Sequence, residues 1–184
     1  MLDDVPTVMA TYERRTTIRA PLESVWEFHS TVAGLEALTP DWLGLRVEAV
    51  IGPDGERRGD PQSVTLEAGT EISLSLQPFG QGPRQHWTSR ITERTRGDGI
   101  ARFRDTMDDG PFEHWEHSHT FAGDDEQTTI IDRVDYRLPF GPLGTLATPF
   151  SVVGFEGMFR QRHRETRRVL ETGQGNETRG RTRV

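Results

Sequence analysis

Three successive runs between Phe103 and Tyr136 alternate with a period of two, and this commits the middle of the chain to antiparallel strands. In the first run Phe103, Asp105 and Met107 share a face. The second puts Trp115, His117, His119 and Phe121 together, with Glu113 at its outer end. Ile130, Asp132, Val134, Tyr136 and Leu138 line up in the third. Each face is apolar yet carries ionisable groups among its large hydrophobes, the mixture expected of a ligand cavity rather than of a plain core.

The same alternation extends outward. Ala10–Ala20, rich in Thr with Tyr and Ile, predicts an opening strand. Pro21 suits a first helical position, and Leu22, Val25, Trp26 and His29 recur at helical spacing behind it. A second short helix is expected over Val32–Leu38, ending at Thr39-Pro40. From Trp42 a strand meander begins, with Leu43, Leu45 and Val47 alternating, then a charged, flexible loop over 51–61. Strands follow over Thr70–Gln77 and Arg84–Thr95, the latter placing Trp87, Ser89 and Ile91 on one face before the Gly97-Asp98-Gly99 hairpin signal. Beyond Tyr136 the run Leu-Pro-Phe-Gly-Pro-Leu-Gly must break the strand, and a last helix is expected over Phe150–Glu171. On it Phe155, Met158, Phe159, Arg162, Thr166 and Val169 or Leu170 follow a three-four spacing, while Arg160, Arg164, Arg167 and Arg168 make a solvated face. Residues 1–8 read as a loose leader, 9–172 as one domain and 173–184 as a disordered tail. The expected fold is α+β: a curved antiparallel sheet gripping a long C-terminal helix, with two short helices after the first strand.

Composition narrows the function classes. There is no cysteine, which removes disulfides, thiolate metal sites and cysteine catalysis. No apolar run approaches the roughly 18 residues of a membrane span. The first ten residues are acidic where a signal peptide would be basic, so a cytoplasmic location is expected. Net charge is -7, and all 22 basic residues are Arg. An acidic, lysine-free chain predicts adaptation to high salt, ahead of the alternative of codon bias alone, and its field disfavours nucleic acid and anionic membrane. Phosphate loops and serine elbows are missing from the sequence, and no pattern in it fixes an oligomeric state.

The run Gly110-Pro-Phe-x-x-Trp115-x-His117-x-His119-x-Phe121, the run Asp132-x-Val-x-Tyr136-x-Leu-Pro-Phe-Gly-Pro-Leu-Gly144 and the opening Ala20-Pro-Leu-Glu-Ser-Val-Trp-Glu-Phe28 resemble the START-like helix-grip superfamily. That superfamily includes polyketide cyclases and dehydratases, coenzyme-Q-binding proteins and plant pathogenesis-related ligand carriers. The resemblance spans roughly residues 9 to 172 and implies a hydrophobic small molecule (lipid, quinone or polyketide-like) held between sheet and last helix.

Two chemistries compete for the polar residues. His117 and His119 could supply two imidazoles to zinc with Asp105 or Asp132 as a third ligand. Hydrogen bonding of each histidine to an aspartate or carbonyl is favoured over that, so neither metal nor cofactor is expected. A His–Asp pair would also make a poised acid or base, and with Tyr136 polarising a carbonyl it would suffice for cyclisation or dehydration. Catalytic candidates are therefore His117, His119, Asp105, Asp132 and Tyr136, with the structural or binding role ranked ahead of catalysis. The expected ligand wall adds Trp87, Phe103, Met107, Trp115 and Phe121 from the sheet and Phe155, Met158 and Phe159 from the helix. Arg162 is expected to pair with a sheet aspartate, and His86 and His163 carry no signal. A cavity filled by its own aromatics, leaving an interaction module, is the third reading.

Overall fold

The computed structural model describes residues 9–139 and 154–171. The expected leader, the tail, the Gly/Pro run beyond Pro139 and the start of the last helix lie outside these residues.

Strand β1 (Ala10–Ile18) leads through Pro21 into α1 (Leu22–His29) and α2 (Val32–Leu38). Pro21 sits just before the first helical residue, its fixed φ of -54° turning the chain into the helix. Thr31 caps α2, accepting from the Gly34 amide at 3.0 Å. Glycine at 34 is a matter of space: a Cβ there would lie 1.8 Å from the Phe28 carbonyl oxygen at the end of α1.

Six strands then run as a meander: β2 (Arg46–Ile51), β3 (Glu71–Leu76), β4 (Gln85–Gly97), β5 (Ile100–Asp108), β6 (His114–Gly123) and β7 (Thr128–Arg137). All pairings are antiparallel, in the order β1-β7-β6-β5-β4-β3-β2. One boundary differs from expectation. Trp42 and Leu43 lie in a 3-10 turn, Asp41–Leu43, not in a strand. Pro40 precedes it, and Gly44 closes it in the left-handed region (φ 58°), donating to the Asp41 carbonyl at 3.0 Å, so the strand starts only at Arg46. The loop after β2 is a hydrogen-bonded turn in which Arg58 clasps Asp54.

Register shifts between Val47 and Ala49 on β2 and between Ile91 and Glu93 on β4 bend the sheet. Such bulges sharpen local twist and curl a sheet toward one face. Helix α3, described over 154–171, packs into the concave side. Its Phe155 and Phe159 join Tyr12, Val134 and Tyr136 in one buried cluster. A second cluster gathers Val25 and Trp26 of α1 with Phe103, Phe121 and Ile130. A third places Val32 of α2 against Val50, Ile72, Leu74 and Ile91. Between these clusters the interior remains open.

Candidate ligand cavity and its histidine–aspartate array

The open space is a cavity of about 340 Å³ on the concave face. Its floor comes from alternate residues of four strands: Ile72 and Leu74 of β3, Trp87 and Ser89 of β4, Phe103 and Met107 of β5, Trp115 of β6. The roof is α3, through Phe155, Met158, Phe159 and Arg162. Leu35 and Leu38 of α2, with Leu43 and Leu45, close one end. The lining is overwhelmingly apolar; Asp105, His117, His119 and Arg162 gather where β5 and β6 pass beneath α3, while Thr39 and Gln85 lie apart from them.

Strand register builds that polar patch. Asp105 faces His117 across β5–β6, and His119 faces Asp132 across β6–β7, so the four side chains form two adjoining cross-strand pairs on one face. Asp132 lies behind the cavity wall, buried, and gathers three imidazoles. His117 Nε2 donates to its Oδ1 at 3.2 Å, and His163 Nε2 of α3 donates to its Oδ2 at 2.5 Å. His119 Nδ1 approaches Oδ1 to 2.6 Å, but its N–H is not aimed at the oxygen; the contact is one of charge rather than an aligned hydrogen bond. His163 Nδ1 is buried without a hydrogen-bond partner.

Toward the cavity the same two rings turn to Asp105. His117 Nδ1 lies 3.6 Å and His119 Nε2 3.8 Å from Asp105 Oδ2, beyond hydrogen-bond reach. The other oxygen of Asp105 faces Ser89 Oγ at 3.4 Å. Ring centroids of His117 and His119 are 3.8 Å apart, and Phe103 stacks on His119 at 3.9 Å.

Burial and neighbouring charge split the histidines. Burial, then the neighbouring His119, holds His117 below its ordinary value against the pull of Asp132 and Asp105. For His119 burial also acts downward, but Asp132 and Asp105 outweigh it and the ring keeps its proton to higher pH. Burial works to raise Asp132, yet the histidines around it hold its carboxyl well below the usual range. His29, which lines the cavity and whose Nδ1 donates to the Val25 carbonyl at 2.8 Å, is pushed down to about 3, first by burial.

The expected site residues divide accordingly. Trp87, Phe103, Asp105, Met107, Trp115, His117 and His119 face the cavity from the sheet, and Phe155, Met158 and Phe159 face it from α3. Phe121, Asp132 and Tyr136 do not line it. Phe121 packs beneath Trp26 and His29, at 5.8 and 5.0 Å between centroids. Tyr136 is walled in by Phe155 and Phe112, which keeps its ring in the core rather than at a ligand. Arg162 corrects the expected salt bridge: no carboxylate among the described residues lies within ion-pair distance of it, and its guanidinium faces the cavity. Burial holds it below the ordinary arginine value, with Asp132 and Asp105 opposing.

Sequence reasoning passed over His163, which completes the aspartate's shell. The signal was present: it lies four residues beyond Phe159 and three before Thr166, on the buried face of α3. Three of the other arginines of α3 pair along the surface, Arg160 with Glu156, Arg167 with Glu171 and Arg168 with Glu165.

Among curated proteins, no sequence matches this chain. Solved structures resemble it widely at low identity. Norcoclaurine synthase from Thalictrum flavum, a point mutant with a transition-state analogue, has a TM-score of 0.63 at 16% identity, over 92% of this chain and 99% of that one. The protein TTHA0849 from Thermus thermophilus gives 0.61 at 17% identity, over 89% and 99%. Ara h 8.0201 gives 0.54 at 15%, over 86% and 98%. Likeness at these identities carries the helix-grip fold and nothing finer. A protein-family model, polyketide cyclase/dehydrase and lipid transport, matches residues 18–158, most of the chain. With its curved seven-stranded sheet closed over a C-terminal helix, the chain belongs to the polyketide cyclase/dehydrase and lipid transport family.

Proposed function

We propose that the protein binds a hydrophobic small molecule, a lipid, isoprenoid quinone or polyketide-like compound, between the sheet and α3. The observation that carries this is the cavity itself: about 340 Å³ of mostly apolar space with four ionisable side chains, Asp105, His117, His119 and Arg162, grouped on its wall. An apolar wall supplies affinity through burial, while a small polar cluster orients the ligand. His117, His119, Asp105 and Arg162 would meet the polar end of such a molecule. Native mass spectrometry of gently purified protein, followed by displacement of a lipophilic dye, tests it. A co-purifying lipophile that competes with the dye is expected; an empty protein that takes up no dye would sink the reading.

A second reading is catalysis of the cyclase or dehydratase type. It is favoured by His119, whose charge is supported by two carboxylates beside the cavity. A structurally similar protein, norcoclaurine synthase, is known in complex with dopamine and hydroxybenzaldehyde, two small aromatic molecules. Unchanged turnover of an identified ligand by His117→Ala and His119→Ala would exclude it.

Residues 9–172 form the binding unit in this proposal, so removing 1–8 and 173–184 should leave dye binding intact. The acidic, lysine-free composition supports a cytoplasmic protein of a high-salt cell, with a melting temperature that rises in molar potassium chloride. Among the described residues no helix is long and apolar enough to cross a membrane.

A further inference from the structure

We propose that Asp105, His117 and His119 form a binding site for a divalent cation of borderline character, with Zn²⁺ as the representative ion. This goes beyond ligand binding by the apolar cavity and does not depend on it.

Each of the three residues turns one donor atom to a common point. The donor atoms all lie within 4.8 Å of one another, and Asp105 Oδ2 is 3.6 Å from His117 Nδ1 and 3.8 Å from His119 Nε2. Donors bound to zinc at about 2.0–2.2 Å in a tetrahedral arrangement sit roughly 3.4 Å apart. The two carboxylate–imidazole separations are too long for hydrogen bonds and only a few tenths of an ångström wider than a metal would hold them, while the set as a whole, within 4.8 Å, would close around an ion by moving the two imidazoles together. Contraction is a matter of side-chain rotation, since Asp105 lies directly opposite His117 and diagonal to His119 on adjacent strands.

The protons are already disposed for it. His117 donates its Nε2–H to Asp132, which leaves Nδ1 facing Asp105. A ring nitrogen and a carboxylate oxygen therefore face each other at 3.6 Å, a pairing that a shared cation would satisfy. On His119 the proton facing Asp105 is the one a metal would replace, as ligand binding to metals requires. Asp132 is the buried carboxylate that touches the far nitrogen of both rings, the role of the outer carboxylate in a carboxylate–histidine–metal relay. Ser89 steadies the other oxygen of Asp105. Two imidazoles and one carboxylate suit zinc, cobalt, nickel or ferrous ions better than calcium or magnesium, which prefer all-oxygen shells. Three protein donors leave the fourth position open, and here it opens into the cavity. Arg162 faces the same space, so an anionic or enolic oxygen at that position would meet both the metal and a guanidinium.

The test is titration of chelator-stripped, full-length protein with Zn²⁺ alone by calorimetry, and with Co²⁺ alone by visible absorption. One saturable equivalent per chain is expected, with the intense ligand-field band of four- or five-coordinate cobalt. Asp105→Asn and His117→Ala, checked for folding by circular dichroism, should each abolish this equivalent. Asp132→Asn should weaken it about 10- to 100-fold. His86→Ala and His114→Ala, away from the site, should leave it unchanged. Absence of saturable binding to the wild type would overturn the assignment whether or not the variants fold. So would binding that survives Asp105→Asn and His117→Ala together, or that is lost with His86 or His114. Because the titration uses no lipophile, its outcome is separate from that of the dye experiment.

Discussion

Asp132→Asn changes one atom at the centre of the buried array, and its cost can be worked from the contacts. The amide oxygen keeps the place of Oδ1, near His117 Nε2 and His119 Nδ1. The amide nitrogen then takes the place of Oδ2, 2.5 Å from His163 Nε2, where a proton now meets a proton. His163 can relieve this only by moving its hydrogen to Nδ1, which is buried and has no partner. An orphaned buried donor costs about 1–3 kcal/mol, and a hydrogen bond to a charged acceptor is worth about 1.5–3 kcal/mol. A net loss of about 3 kcal/mol is expected, or about 6–12 °C in melting temperature for a chain of this size. Urea unfolding followed by circular dichroism measures it. Asp132→Asn/His163→Leu removes the clash together with its cause, so the double variant should be more stable than the sum of the single losses by about 1–2 kcal/mol. Were the single substitution to cost under about 1 kcal/mol, or the two to add simply, Asp132 would not be the anchor described.

Further expectations concern pH, packing and access. His29, neutral and held at about 3 in the folded protein against 6.5 in the unfolded chain, contributes stability that is complete above 6.5 and is lost as pH falls toward 3; His117 acts with the same sign, and His29→Leu should flatten the acid limb of a stability–pH curve. His119 runs the other way: its contribution is complete below 6.5 and is lost as pH rises through its raised value. Gly34→Ala should destabilise by about 2–3 kcal/mol in thermal melts, because the new methyl meets the α1 backbone and not a movable side chain. Leu74→Trp should fill the cavity and abolish dye uptake with little loss of secondary structure, whereas uptake that persists would put the ligand elsewhere.

Much of this molecule was readable in its residues, and the boundary of what was readable has a physical cause. Alternation assigns Trp115, His117 and His119 to one face of one strand, and that much is local. Which residues then meet is a matter of register, set by the turns on either side of β6 and by the bulge beside Ile91, and no period-two pattern encodes it. So the partnership of Asp105 with His117, and of His119 with Asp132, emerged only in three dimensions. Tyr136 shares the inward face but sits where Phe112 and Phe155 cover the sheet, so facing inward did not mean facing the cavity. Arg162 and His163 are neighbours on α3 with opposite fates. Arg162 has no carboxylate partner among the described residues, while His163 is bonded to Asp132; their different positions around the helix axis separate them.

The meander has a consequence for how the molecule assembles. Asp105, His117, His119 and Asp132 come from three strands joined by short turns, so their meeting needs only local chain closure. Pairing of β1 with β7, by contrast, joins Ala10 to Tyr136, and His163 must arrive with a helix from beyond the sheet. Entropy orders such events by loop length, short before long. On that ordering the polar array is expected to form on an open sheet, in contact with solvent, before the terminal segments close over it. An ion or ligand that favours the array would then meet it before the cavity has a roof.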